Sequence, residues 1–120
     1  MTGSRQLWGI QGEAWAAMAL EKMGYKILVR NYRSPLGEID LIARQGHELV
    51  FVEVKLRRGH SYGQPQEAIT WKKQRHLVQT AQYYLKQQRL EAVPYRFDVV
   101  AISLEGAEPR LEIIPNAFGA

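Results

Sequence analysis

Residues 37–57 constrain the fold more than any other stretch of the chain. Gly37-Glu38-Ile39-Asp40-Leu41-Ile42-Ala43 and Val50-Phe51-Val52-Glu53-Val54-Lys55-Leu56-Arg57 are two runs rich in β-branched and large apolar residues. Between them, Gln45-Gly46-His47-Glu48 carries turn chemistry, so the stretch reads as a β-hairpin. Strand side chains alternate between faces. Val50, Val52, Val54 and Leu56 therefore share one face of the second strand, and Phe51, Glu53 and Lys55 the other. In the first strand Asp40 and Ile42 lie opposite to Ile39 and Leu41.

If residues 45–48 form the loop, Arg44 pairs with Leu49, Asp40 falls beside Glu53, and Glu38 falls beside Lys55. Opposed residues lie roughly 5 Å apart at Cβ. A two-residue turn at Gln45-Gly46 would instead put Asp40 opposite Phe51. In the first register two carboxylates and a lysine converge on an otherwise apolar strand pair. Neighbouring carboxylates repel, and desolvating them is costly. A divalent cation removes the repulsion, and hard oxygen ligands suit Mg²⁺ or Mn²⁺. Such a cation polarises phosphate and lowers the pKa of water, the basis of metal-assisted phosphodiester hydrolysis. Spacing alone is met equally by a solvated strand face with a Glu38–Lys55 ion pair.

The run Gly37 to Ala43 followed by Phe51-Val52-Glu53-Val54-Lys55 resembles the D…E-x-K core of the PD-(D/E)XK nucleases. That superfamily is restriction-endonuclease-like and Holliday-junction-resolvase-like. More narrowly, the chain resembles the small bacterial family typified by YraN. The likeness includes Gly12-Glu13, Gly24-Tyr25, Asn31-Tyr32-Arg33, Lys73-Gln74-Arg75, Arg96-Phe97-Asp98-Val99-Val100 and Asn116-Ala117-Phe118. Ile39 stands where the superfamily often has proline, a departure that leaves the carboxylate in place. The resemblance implies Asp40 and Glu53 as metal ligands, with the Val54 carbonyl completing the shell. It implies Glu13 as a third carboxylate and Lys55 as the group that positions water or stabilises charge. The implied cofactor is Mg²⁺ or Mn²⁺. The implied substrate is DNA, branched or single-stranded, cut by a homodimer. The alternative is a nucleic-acid-binding module of a repair or recombination complex that does not cut.

Composition agrees with a polyanionic partner. The net charge is +4 and the pI near 9.5, which favours nucleic acid over an acidic small molecule. With no cysteine, disulfides and thiolate zinc sites are excluded. No signal peptide or membrane-length apolar run is evident, so a cytoplasmic protein without a membrane partner is expected. A chain of 120 residues suits one domain, spanning residues 1–120.

The remaining chain supplies the expected α/β frame. Ser4 to Met23 reads as a helix stopped by Gly24, with Leu7, Ile10, Ala14, Ala17 and Met18 as its apolar stripe. Tyr25 to Arg33 is a strand, and Ser34 to Gly37 a turn. Gln66 to Gln87 is a helix broken near Thr70, a plausible N-cap. It faces the sheet with Gln74, Leu77, Val78, Ala81 and Leu85. Gln74 would lie nearest the strand ends, able to orient a water or phosphate. Lys72, Lys73, Arg75 and His76 form a basic cluster beside it. Arg57, Arg58 and His60 are candidates to grip phosphates, and Tyr62 to stack on a base. A solvated charge run explains the basic cluster equally well. Tyr95 to Ser103 is a strand, in which Asp98 reads as a structural acceptor for a backbone or arginine donor. Arg110 to Ile114 is a short last strand. The order predicts a three-stranded antiparallel meander, then a right-handed helical crossover to a parallel strand. That is a restriction-endonuclease-like three-layer core, a central mixed sheet flanked by helices.

Overall fold

The computed structural model describes residues 2–58, 69–105 and 108–119. For residues 2–10, 58 and 105 it describes the backbone alone. In chain order the elements are α1 (Thr2–Lys22), β1 (Lys26–Ser34), β2 (Gly37–Gln45), β3 (Glu48–Arg58), α2 (Trp71–Gln87), β4 (Tyr95–Glu105) and β5 (Glu108–Phe118). The sheet order is β1-β2-β3-β4-β5, antiparallel except for the parallel β3–β4 pair. The expected α/β frame, meander and crossover are therefore present, compatible with a restriction-endonuclease-like core.

Each face of the sheet carries its own apolar cluster. Leu41, Ala43, Val50, Val52, Val100 and Ile102 pack with Ala16, Ala17 and Leu20 of α1. Ile42, Phe51, Phe97 and Val99 pack with Leu77, Ala81, Tyr84 and Leu85 of α2. The α2 face is close to the expected one. On α1, Ala17 of the expected stripe is buried but Met18 is 56% exposed; Ala16 and Leu20, outside that stripe, complete the contact, and the side chains of Leu7 and Ile10 lie outside the described residues. A Cβ on Gly12 would stand 2.6 Å from Leu56 Cδ1. Short side chains let this helix approach the sheet, and that selection is invisible to an apolar-stripe count. The helix ends where Gly24, φ +93°, reverses the chain, and the Tyr25 amide donates back to the Leu20 carbonyl at 3.0 Å. This is the glycine-terminated helix end foreseen.

α2 begins at Trp71, with Thr70 as its cap; the Thr70 hydroxyl accepts from the Lys73 amide at 3.1 Å. The expected helical residues 66–68 lie outside the described residues, as do His60 and Tyr62. β5 extends to Phe118, longer than expected, because Phe118 stacks on Phe97 with ring centres 4.9 Å apart.

The central hairpin has the first of the two registers considered: Arg44 pairs with Leu49 and Gln45 with Glu48. The loop itself is only Gly46-His47. Gly46 adopts φ +61°, as the first central residue of a tight hairpin of this kind must.

Candidate metal centre

The β2–β3 ladder runs from Gln45↔Glu48 to Leu41↔Val52 and stops there. Asp40 and Glu53 would be the next pair. Instead of joining the ladder, Asp40 turns its carboxylate into the gap, and Oδ2 accepts the Val54 amide at 2.8 Å. A side chain thus replaces a main-chain acceptor where the strands part. The same divergence breaks the expected alternation, since Ile39 packs with Ile42 under α2 rather than with Leu41. The expected Glu38–Lys55 pairing does not form; Glu38 lies 3.4 Å from Arg33 on the other side of β2.

Asp40 and Glu53 nevertheless meet. The Asp40 carboxyl is close enough to Glu53 to disfavour its ionisation, and two such neighbours coexist most easily with a proton between them. Glu53 is only 7% exposed. Burial, the bond to Asp40 and the Asp40 charge push its pKa up to about 8, against the opposing pull of Lys73 and Lys55. Its Oε2 is fully buried with no hydrogen-bond partner. Lys73 Nζ stands 3.6 Å away, beyond hydrogen-bond reach, on a side chain 45% exposed. An orphaned buried carboxylate oxygen is rare in native structures and is most often matched by a water or ion.

The donor set fits a hard divalent cation. A cation at Oε2 would take the place of the shared proton and supply the missing partner. Two carboxylates are a sparse set, and among the described residues no three His, Cys, Asp or Glu side chains form a metal cluster. Glu13 is half-buried on α1; burial first, then the charges of Asp40 and Glu38, raise its pKa. It therefore senses Asp40 without joining the pair. At Val54 the recorded contact is through the amide, not the expected carbonyl. Lys55 is partly buried and its charge favours ionised Glu53.

The basic residues fall on both sides of the start of α2. Lys72, Lys73 and His76 border a cavity of about 300 Å³ with Gly37 and Glu38. Arg75 lies over the Trp71 ring. Gln74 donates to the Ile69 carbonyl at 3.0 Å, so its amide secures the approach to the helix. Arg57 lies on β3 just beyond the pair, and the side chain of Arg58 is outside the described residues. Lys73 was foreseen as a phosphate ligand; its closeness to Glu53 could not be read from the sequence, because it depends on how α2 crosses the sheet.

On the neighbouring strand β4, in register with Val52, Asp98 is fully buried and bound by Tyr25 Oη at 2.8 Å, Arg96 Nε at 3.0 Å and the Asn116 amide at 2.9 Å. The structural role expected for it holds.

A five-stranded mixed sheet between two helices, with an acidic pair where its central antiparallel strands part, defines the class: an α/β protein with a restriction-endonuclease-like arrangement. Residues 12–102 match the model of the uncharacterised protein family UPF0102, and the chain belongs to that family. A UPF0102 protein of Syntrophotalea carbinolica is 48% identical over 98% of this chain and 96% of its own length. One of Caldicellulosiruptor saccharolyticus is 49% identical over 92% and 95%. One of Moorella thermoacetica is 47% identical over 98% and 100%. Among the described residues no helix is long and apolar enough to cross a membrane.

Proposed function

We propose that this protein is a Mg²⁺- or Mn²⁺-dependent endonuclease that hydrolyses phosphodiester bonds in DNA. The observation that carries the reading is the buried Glu53 carboxyl beside the half-buried Asp40, with no hydrogen-bond partner for Glu53 Oε2. A pair of acids that a proton can stabilise can also be stabilised by a cation, and the bond from Asp40 to the Val54 amide does not account for the second acid, Glu53. Asp40 and Glu53 would hold the ion, with Glu13 reaching it directly or through water. When bound, the ion would neutralise charge on the scissile phosphate and acidify a water. Lys55 shares the strand face of Glu53, where an ammonium can orient the attacking water or offset charge developing on phosphate oxygens. Lys73, relieved of Glu53 once the ion is bound, can turn to a neighbouring phosphate, as can Lys72, Arg75 and Arg57. The basic balance of the chain supports a nucleic-acid partner, and cleavage of chromosomal DNA would place the protein in the cytoplasm. A homodimer would present two such sites to a branched substrate.

The test is incubation with end-labelled single-stranded, duplex, flap and four-way DNA, with and without Mn²⁺, beside Asp40→Asn protein. The reading expects products that need both the metal and Asp40. Binding without metal-dependent products, or equal cutting by Asp40→Asn, overturns it and leaves a nucleic-acid-binding module.

A further inference from the structure

Trp71 is the most exposed large apolar residue described, 71% open to solvent. Its exposure is not that of a side chain left over from packing. The Arg75 guanidinium carbon sits 5.1 Å from the ring centre, a cation–π contact that restrains the indole. Trp71, Gln74, Arg75 and Val78 follow one face of α2 at helical spacing and, with Gly119, border a cavity of about 180 Å³. That is below the size of pockets for drug-like ligands, roughly 300–1,000 Å³, and accommodates a single planar ring. Lys72 and Lys73 come next in the chain, and Lys73 reaches to 3.6 Å from Glu53.

A single exposed apolar side chain is ordinary on a protein surface. A tryptophan held by an arginine, followed in the chain by Lys72 and by a Lys73 that reaches the buried Glu53 carboxyl, is a more specific combination. The aromatic face attracts a base, the cations attract the backbone that carries it, and together they match single-stranded nucleic acid. A duplex keeps its bases stacked on one another and can offer the indole only its terminal pair. Restraint of the ring by Arg75 lowers the ordering entropy lost on binding.

We propose that Trp71 and Arg75 form a stacking platform for an unpaired base of a DNA strand whose backbone passes Lys72 and Lys73 toward Asp40 and Glu53. This deepens the nuclease reading, and rests on it for the direction of the strand, by assigning the site a substrate with unpaired nucleotides. Stacking itself needs no cleavage and can be measured apart from it.

The experiment is fluorescence anisotropy in EDTA, so that no strand is cut. One probe is labelled oligothymidylate about twenty nucleotides long, above the ~4–16-nucleotide footprint of common single-strand binders. The others are a duplex and a wholly abasic strand of equal length. The wild-type protein should bind oligothymidylate more tightly than either. Trp71→Ala should weaken oligothymidylate binding about 10-fold, the effect of losing one stacked base. Duplex and abasic affinities should not move, and Trp71→Phe should restore most of the loss. Substitution at so exposed a position leaves the core intact, and matching thermal melts check it. The proposal is overturned if Trp71→Ala binds oligothymidylate as wild type does. It is also overturned if the variant loses all three probes equally, or if wild type holds the abasic strand as tightly as the thymidylate. Asp40→Asn should keep the full preference, so failure of cleavage and failure of stacking are read from different variants.

Discussion

Two aspartates in this sheet use the same local device and end in opposite electrostatic situations. Asp98 Oδ1 accepts the Asn116 amide where the β4–β5 register shifts. Asp40 Oδ2 accepts the Val54 amide where the β2–β3 ladder ends. Each carboxylate stands in for a main-chain carbonyl at a break in pairing. Around Asp98 the remaining partners are donors: Tyr25 and Arg96, the latter also held by Glu48 at 2.6 Å. The Arg96 pKa is raised, chiefly by its bond to Asp98. Around Asp40 the partner is another acid, itself buried and missing a partner. The first arrangement is closed on itself and holds two strands and the end of α1 together. The second is incomplete without a proton or a cation. A sheet can carry a buried acid for stability or for chemistry, and the identity of its neighbours tells which.

The largest effect expected from breaking this contrast is at the closed Asp98 site. Asp98→Ala leaves Arg96 partly buried without its main counter-ion and the Asn116 amide without an acceptor. A loss of about 3–5 kcal/mol is expected, read as a lower midpoint in urea unfolding. A loss below one kcal/mol would show that Glu48 and Tyr25 suffice and that the two sites differ less than their geometry implies.

At the open site the sign reverses. Glu53 has its folded pKa raised from an ordinary 4.5 to about 8. The protonated form is compatible with the fold, so this group's contribution is intact below the unfolded pKa. It is lost progressively as pH rises from about 4.5 through about 8, because the folded state must surrender a proton that the unfolded state has already released. Glu53→Gln keeps a donor toward Asp40 and removes the titration. The variant should match wild type near pH 4 and exceed it by on the order of 3 kcal/mol at pH 9. Parallel urea midpoints across that range check it; curves that do not diverge would mean that Glu53 is solvated and the pair is not a strained one.

How far these two sites were legible in the sequence follows from what periodicity encodes. Alternation in residues 37–57 placed Glu53 and Phe51 on one face, and turn chemistry allowed the register that brings Asp40 to Glu53. Asp98 in an apolar run already argued for a buried, satisfied acceptor. Alternation says nothing of where a ladder stops, so the side-chain bond from Asp40 to Val54 and the displacement of Ile39 were not visible. The packing face of α1 was legible only in part: Ala17 belonged to the expected stripe, while Gly12 and Ala16 contribute closeness rather than hydrophobicity. Trp71 was passed over because its value depends on Arg75 sitting above it, a contact one helical turn apart that competes with many others at the same spacing.

If the incomplete Asp40–Glu53 site accepts a cation, added metal should stabilise it and leave the Asp98 site untouched. At a free Mn²⁺ concentration ten times Kd, wild type should gain about 1.4 kcal/mol, seen as a rise in melting temperature. Asp40→Asn and Glu53→Gln should gain little. At a fixed Mn²⁺ concentration the gain should grow between pH 6 and pH 8, since the metal displaces the proton held by Glu53 and does so more readily as that proton is released. An equal rise in both variants would locate the metal elsewhere.

The smallest effect concerns Lys73, which connects the acidic pair to the start of α2. Its ammonium lowers the Glu53 pKa from 3.6 Å away. Lys73→Met removes that charge while keeping the length and much of the apolar contact of the stem. The midpoint of Glu53 titration, followed by carboxyl NMR, should move upward by on the order of half a unit, because a half-exposed lysine is screened by solvent. A downward move would mean that Lys73 does not face Glu53 in solution. It would also cut the physical link between the acidic pair and the basic side of α2.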